Sequence, residues 1–335
     1  MTYSDKASHG RIRWVDSLRG ICMIAILLDH TESYYLDYHV INQNLYLTDA
    51  LYLFFAISGY LMYREGRNVE LSAGVRSVAR SLLMPYAIFT TLLAVPKAIA
   101  NQGTVDASAI VRGILLGQAS WFVAALIVGK LLFLLLEKAS RGNIIIMALG
   151  SIAAFAASFP LAGCTASCVW QADNALQSML FLFIGYAYRR YECRMSCCNA
   201  ATALLLAVFV VIKIYVAARG VTMAIWHINV SDRVVFVANV AVGVLAMFAL
   251  FRRLPPCRMA EWTGRHCIVY YFLCGGVPLV VGRLALRMGF AYGGNYLRVL
   301  AVFVVVYAIT TMLTWAIYRY VPFITGVKQH KSTLK

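Results

Sequence analysis

Charge is what this sequence has least of. Only 13% of its 335 residues are charged, about half the share of a soluble globular domain, while 61% are hydrophobic. Acids are scarcest, 14 against 30 lysines and arginines, for a net charge of +16. In a soluble chain that excess would suggest nucleic acid. Here the basic residues sit in short gaps between apolar runs, the pattern of the positive-inside rule. There is no glycine-rich phosphate loop, nucleophile elbow or paired-cysteine redox motif, which removes the chemistries those motifs serve. The nine cysteines have no zinc spacing. Cys193, Cys197 and Cys198 share one gap with no histidine near, so no metal site is expected. No motif recurs at a fixed period, which excludes a solenoid. The first apolar run is polar at both ends and no small-residue cleavage site follows it, so no cleavable signal peptide is expected.

What is present is a series of ten apolar runs near the length of a membrane-spanning helix. They lie at 14–33, 46–63, 82–100, 119–136, 144–162, 175–190, 200–217, 233–251, 266–286 and 297–320. The ninth is interrupted by Gly275, Gly276 and Pro278. The expected fold is all-α, a polytopic transmembrane helical bundle forming one domain over residues 1–335. The N-terminal arm, the gaps after even-numbered runs and the C-terminal tail hold 21 lysines and arginines, the opposite gaps 7. That asymmetry predicts both termini in the cytoplasm.

The first run, Trp14 to Glu32, is apolar yet carries Arg19 and His30. They are eleven residues apart, close to three helical turns, so they share a face about 16 Å apart along the axis. An ionisable residue inside a membrane segment marks a functional site by default. The bland alternative has Arg19 snorkelling to headgroups and His30 capping the far end. Beyond it, Thr31 to Asp49 has no lysine or arginine but holds Glu32, Asp37, His39, Tyr34, Tyr35, Tyr38 and Tyr46. Such acidic and aromatic side chains suit a sugar, and equally an interfacial aromatic belt. Ser58-Gly59 suits close helix packing. Arg76 and Arg80, at i and i+4, form a natural phosphate clamp. Trp121 suits an interfacial anchor, as does His227 beside Trp226. Lys130 and Lys213 lie mid-span, and each needs a partner or an aqueous cavity. Cys164 and Cys168 share an outer gap where an oxidising compartment would let them pair. Cys22, Cys257, Cys267 and Cys274 read as small membrane residues.

Arg19, ten residues and then His30, opened by Trp14-Val-Asp-Ser-Leu-Arg-Gly, resembles the signature of the integral-membrane acyltransferase-3 family. Phe55-Ala-Ile-Ser-Gly-Tyr-Leu resembles its second-helix motif and Arg80-Ser-Leu-Leu-Met-Pro-Tyr its third-helix entry. Ser120-Trp-Phe-Val-Ala-Ala-Leu is similar to its Trp-Phe-Leu element, and Trp262 to Tyr271 to its late Gly-Arg segment. Two departures stand out. The arginine pair before the third run is one residue longer than the family's Arg-x-x-Arg, and a late Tyr-Leu-Leu-His appears as Tyr271-Phe-Leu-Cys274.

The resemblance implies a membrane O-acyltransferase that moves an acyl group, commonly acetyl, from cytoplasmic acyl-coenzyme A to a hydroxyl of an envelope polysaccharide or glycolipid. The expected location is the plasma or inner membrane. Acyl-coenzyme A is the co-substrate, and no bound cofactor, metal or nucleic acid is expected. The expected catalytic residues are His30 and Arg19. Arg76 and Arg80 are the expected donor-binding pair, and Glu32, Tyr34, Trp121 and Ser58 the candidate acceptor contacts. His30 suits either a general base or a transient acyl carrier. Asp29 lies about 100° away from it on a helix and is not expected to orient it. The alternative is a secondary transporter whose path runs through Arg19, His30, Lys130 and Lys213, although no matching halves with broken helices are evident.

Overall fold

The computed structural model describes residues 11–65, 70–102, 105–164, 168–193 and 198–326. Lys6, Arg67, Arg194, Lys328, Lys331 and Lys335, which enter the charge asymmetry, lie outside the described residues, as does Cys197. So does the side chain of Cys164, and with it the expected pairing to Cys168.

Each of the ten apolar runs forms helix. The first two become α1 (Arg13–Leu36) and α2 (Leu47–Met62). The third becomes α3 (Leu71–Val78) and α4 (Met84–Gln102), joined by a π turn over Ala79–Leu83. After the short α5 (Ala107–Leu115) follow α6 (Trp121–Ala139), α7 (Ile144–Cys164), α8 (Ala172–Arg190) and α9 (Asn199–Arg219). A small antiparallel pair, β1 (Met223–Ala224) and β2 (Asn229–Val230), leads into α10 (Arg233–Phe251). The remainder is α11 (Arg258–Arg265), α12 (Cys267–Leu273), α13 (Val277–Arg287) and α14 (Tyr296–Tyr320).

Two boundaries that bear on the site differ from the sequence reading, and the ninth run breaks where its glycines interrupt it. α1 runs on to Leu36, past the expected end at 33, so Tyr34 also stands on the helix and not in a loop. The Thr31 hydroxyl donates to the Leu27 carbonyl at 2.7 Å, and Asp37, at φ 63°, closes the helix with its N–H on the Ser33 carbonyl at 2.9 Å. The third helix begins at Leu71, which puts Arg76 and Arg80 on the helical segment itself. The π turn follows from Pro85, which has no N–H and whose ring crowds the carbonyl four residues back. The wider turn relieves that clash, and the Met84 N–H reaches Ala79, five residues back. The ninth run breaks between α12 and α13, with a bend of 46° at the glycines.

Six of these helical segments are long and apolar enough to cross a membrane, and a seventh if α12 and α13 are one bent span. The set leaves out α1, α6 and α8, which carry more polar and charged residues. These three are shielded by the others. α1 packs against α2, α10, α11, α12, α13 and α14, and α8 against α2, α6, α7 and α10. The apolar window of α9 is only 17% buried inside the bundle, against 67% for that of α2. The chain is thus a helical membrane bundle, with apolar helices such as α9 and α14 outside and the more polar α1 and α8, beside the apolar α2, within.

Two crossings bring backbones into direct contact. At the crossing of α2 and α8, a Cβ on Gly59 would overlap the Leu182 carbonyl, and one on Gly185 the Ala56 carbonyl. Gly20 and Gly264 play the same part where α1 meets α11. Gly59→Val must therefore push α8 away. The expected outcome is a loss of about 1–3 kcal/mol or more, seen as a lower unfolding temperature in detergent. Gly113→Ala on α5, where a Cβ meets nothing within 4 Å, serves as the control and should leave that temperature unchanged or slightly higher.

Candidate active site

α1 is the axis of the site. Its 3.6-residue period puts Arg19 and His30 on one face. Both are half-buried. The His30 imidazole stacks on the ring of Tyr34, one turn further along, with centroids 6.0 Å apart and planes 17° apart. The structure thus brings together two of the expected site residues, and the stack limits rotation of the imidazole.

Asp29 turns to the loop beyond α1. Its Oδ1 accepts hydrogen bonds from Gln43 Nε2 at 2.8 Å and the Tyr46 hydroxyl at 3.1 Å. It also lies 3.4 Å from His39 Nδ1. Glu32 is fully buried, and its Oε1 accepts from the backbone N–H groups of Val40 at 2.5 Å and Ile41 at 3.2 Å. Its Oε2 has no hydrogen-bond partner among the described residues. The two carboxylates therefore fasten the 37–46 loop over the end of α1, one through side chains and one through backbone.

Trp121 opens α6 and stacks on Trp226, centroids 6.3 Å apart, which in turn covers His227 at 4.1 Å. Beside it, the Ser120 hydroxyl donates to the Tyr271 hydroxyl at 3.2 Å, tying α6 to α12. Ser58 is half-buried on α2, next to the Gly59 crossing, where the packing role read for the Ser-Gly pair is seen. Arg76 lines a surface groove with Glu70, Leu71, Ser72, Val75 and Lys138. Arg80 is exposed in the π turn and is not among the residues lining that groove.

At the N-terminal end of α1, Asp16 pairs with Arg11 at 3.3 Å, and Glu261 with Arg13 at 2.9 Å and Arg265 at 3.8 Å. Of these contacts, the Arg13–Glu261 pair clasps α1 against α11. A second cluster centres on Glu192, which accepts from the Tyr60 hydroxyl at 2.9 Å and pairs with Arg189 and with Arg252 at 3.5 Å. Sequence reasoning missed Glu192, although the adjoining Arg189-Arg190 pair was a signal that an acid was needed there. It also missed His39, Gln43 and Tyr46 as partners of Asp29. Their only sequence signal was membership of the cation-free stretch after the first run.

The two mid-span lysines part company. Lys213 on α9 pairs with Asp49 at 2.6 Å and donates to the Asn44 carbonyl at 3.1 Å, while Asn239 on α10 also donates to Asp49 at 3.0 Å. Lys130 on α6 pairs with no carboxylate among the described residues, and the charge whose field reaches it is that of Arg19.

Apolar helices around a polar central helix, with an arginine and a histidine on one of its faces, describe an integral-membrane protein with a polar interior. A family model described as an acyltransferase domain matches residues 12–319, nearly the whole chain. The chain belongs to that family, acyltransferase-3, and is an acyltransferase. Neither the curated proteins nor the solved structures contain a match. The family's five stretches fall on α1, α2, the π turn, the start of α6 and α11–α12; of these helices, α2, α11 and α12 pack on α1.

Proposed function

We propose that this protein transfers an acyl group, most simply acetyl, from cytoplasmic acyl-coenzyme A to a hydroxyl of an envelope polysaccharide or glycolipid. The observation that carries the reading is the match over residues 12–319 together with His30 stacked on Tyr34 three turns above Arg19. The whole chain acts as one catalytic domain in the plasma or inner membrane. It crosses ten times with both termini cytoplasmic, α12 and α13 forming one bent span, in keeping with the 21-to-7 cation asymmetry.

In the reaction an imidazole near neutral pH takes the acceptor's hydroxyl proton. The oxygen attacks the thioester carbonyl carbon, the carbon–sulfur bond breaks, and the thiolate regains the proton. Alternatively His30 accepts the acyl group first and passes it on. Arg19, on the same face, positions the donor or stabilises its developing negative charge. Arg76 and Arg80 receive coenzyme A phosphates at the cytoplasmic mouth. Glu32, Tyr34, Trp121 and Ser58 are the residues from which the acceptor site would be built. A Glu32 carboxylate oxygen with no hydrogen-bond partner among the described residues and stacked aromatics at Tyr34 and Trp121 suit a sugar. The transporter alternative has less support, because Lys213, one of its path residues, is held by Asp49 and Asn44.

His30→Ala should preserve insertion and lower acyl transfer about 10²–10⁴-fold, as for loss of a general base. Arg19→Lys should also be impaired, since lysine lacks the planar fork. Near wild-type turnover of both His30→Ala and Arg19→Ala in detergent would sink the reading. Acid quench after labelled donor alone separates the two roles of His30, because only an acyl-histidine leaves label on the protein. Arg80→Ala should raise the KM for the donor more than for the acceptor, and more so at high salt, whereas an unchanged donor KM removes Arg80 from the site. For topology, a membrane-impermeant thiol reagent should modify a cysteine introduced at Asn42 and spare one at Asn199. The reverse result would invert the orientation.

A further inference from the structure

A glycine in a membrane bundle commonly has a local reason, a left-handed backbone or the close approach of two helices. Gly275 and Gly276, between α12 and α13, have neither. Gly276 sits at φ −99°, and neither residue is in the left-handed region. A Cβ on Gly276 would meet nothing within 4 Å, and one on Gly275 only the Tyr34 hydroxyl, at 3.8 Å. The two glycines therefore leave open space, and that space borders the ring on which His30 stacks. α12 and α13 both pack on α1, so the break is held against the helix that carries His30.

The break lies far from either end of its run. Gly275 stands eight residues after Cys267 and twelve before Arg287, about 12 and 18 Å by helical rise. Its carbonyl accepts no backbone hydrogen bond among the described residues, and Pro278, three residues on, has no N–H to give. Irregular backbone at such depth is tolerated only against protein or a polar cavity. Yet Gly276 is exposed, on a face shared with Val280 and Leu284, which are 62% and 55% exposed. That face points out of the bundle and is apolar, with Arg283 and Arg287 toward its far end. At the end of α1 beyond His30 the approach is covered instead. Asp29 and Glu32 fasten the 37–46 loop there, the Asn44 carbonyl accepts from Lys213 at 3.1 Å, and the Asn44 side chain accepts from the Met223 N–H at 2.8 Å.

We propose that the α12–α13 break is a lateral opening through which a lipid-borne acceptor reaches His30. The occupant is an amphiphile with a hydroxylated headgroup. Its hydroxyls lie at the break, where the Gly275 carbonyl and the Tyr34 hydroxyl offer hydrogen-bond partners, and its chain lies along Val280 and Leu284. An acceptor of this kind is a glycolipid or a lipid-linked sugar. A free polysaccharide has no chain to lie on that face and meets the covered end of α1. The inference rests on the reading that His30 serves transfer from acyl-coenzyme A to a glycan hydroxyl, and the experiment tells the two apart.

Wild-type protein in nanodiscs made from the lipid extract of its parent cells is given acetyl-coenzyme A labelled in the acetyl group. The water-soluble glycans of the same cells are added outside the discs, and a reverse-phase resin then separates lipid-bearing from chain-free products. Most of the label is expected on lipid-bearing material, and most of it on chain-free glycans overturns the inference. Label on neither overturns the reading of donor and acceptor, and this inference with it, before any variant is made. Gly276→Trp then fills the opening. Because no atom lies within 4 Å of a Cβ there, the unfolding temperature and the KM for acetyl-coenzyme A should keep their wild-type values. Transfer to the lipid-bearing acceptor should fall about ten- to hundredfold, the scale of a misplaced substrate. Gly163→Trp, at an exposed glycine of α7 whose Cβ would likewise meet nothing, is the control and should transfer at the wild-type rate. Unimpaired transfer in Gly276→Trp, an equal loss in Gly163→Trp, or a drop in the unfolding temperature of Gly276→Trp would each overturn the inference.

Discussion

Hydrocarbon does not solvate charge, and the organisation of this protein follows from that constraint. A charged side chain in a membrane segment must face protein or water. The chain meets the requirement by sorting its helices. Those with exposed apolar surfaces, such as α9 and α14, form the outside, while α1 and α8, with their acids, amides and arginines, are enclosed. Polarity that would be costly against lipid becomes a means of holding helices together. Asp49 joins α2 to α9 and α10, Glu261 joins α11 to α1, and Glu192 gathers Tyr60, Arg189 and Arg252.

Close packing supplies the rest of the cohesion. Between helices in lipid the hydrophobic effect offers little preference, so contact area and backbone approach decide which pairs meet. Glycines at the α1–α11 and α2–α8 crossings remove the side chains that would keep those backbones apart. The rigid frame that results holds α1 from several sides. Under the proposed reading of His30 that matters for chemistry, because an imidazole works as a base only when its position is set relative to both substrates.

Under the proposed function the site would link two chemical environments. At the N-terminal end of α1 lie basic side chains suited to a polyanionic thioester. At the other end lie His30, Tyr34, buried Glu32 and a loop held by two carboxylates, suited to a hydroxylated acceptor.

Much of this was legible without coordinates. Helix type and approximate position follow from the length of each apolar run, since in lipid an isolated segment can satisfy its backbone only as a helix. The shared face of Arg19 and His30 follows from helical periodicity, and the break at Gly275 and Gly276 from residue type. The helical placement of Tyr34 was not legible, because the Thr31 and Asp37 hydrogen bonds that extend α1 are weak signals in an acidic, tyrosine-rich stretch. The early start of the third helix was hidden in the same way by the arginines of α3. Lys130 and Lys213 mark the limit most clearly. Along the chain they are the same feature, a lysine in mid-span. Local pattern determines which residues are helical and which way each faces on its own helix. Which helices become neighbours depends on the packing of distant segments, and only that decided that Lys213 meets Asp49 while Lys130 pairs with no carboxylate among the described residues.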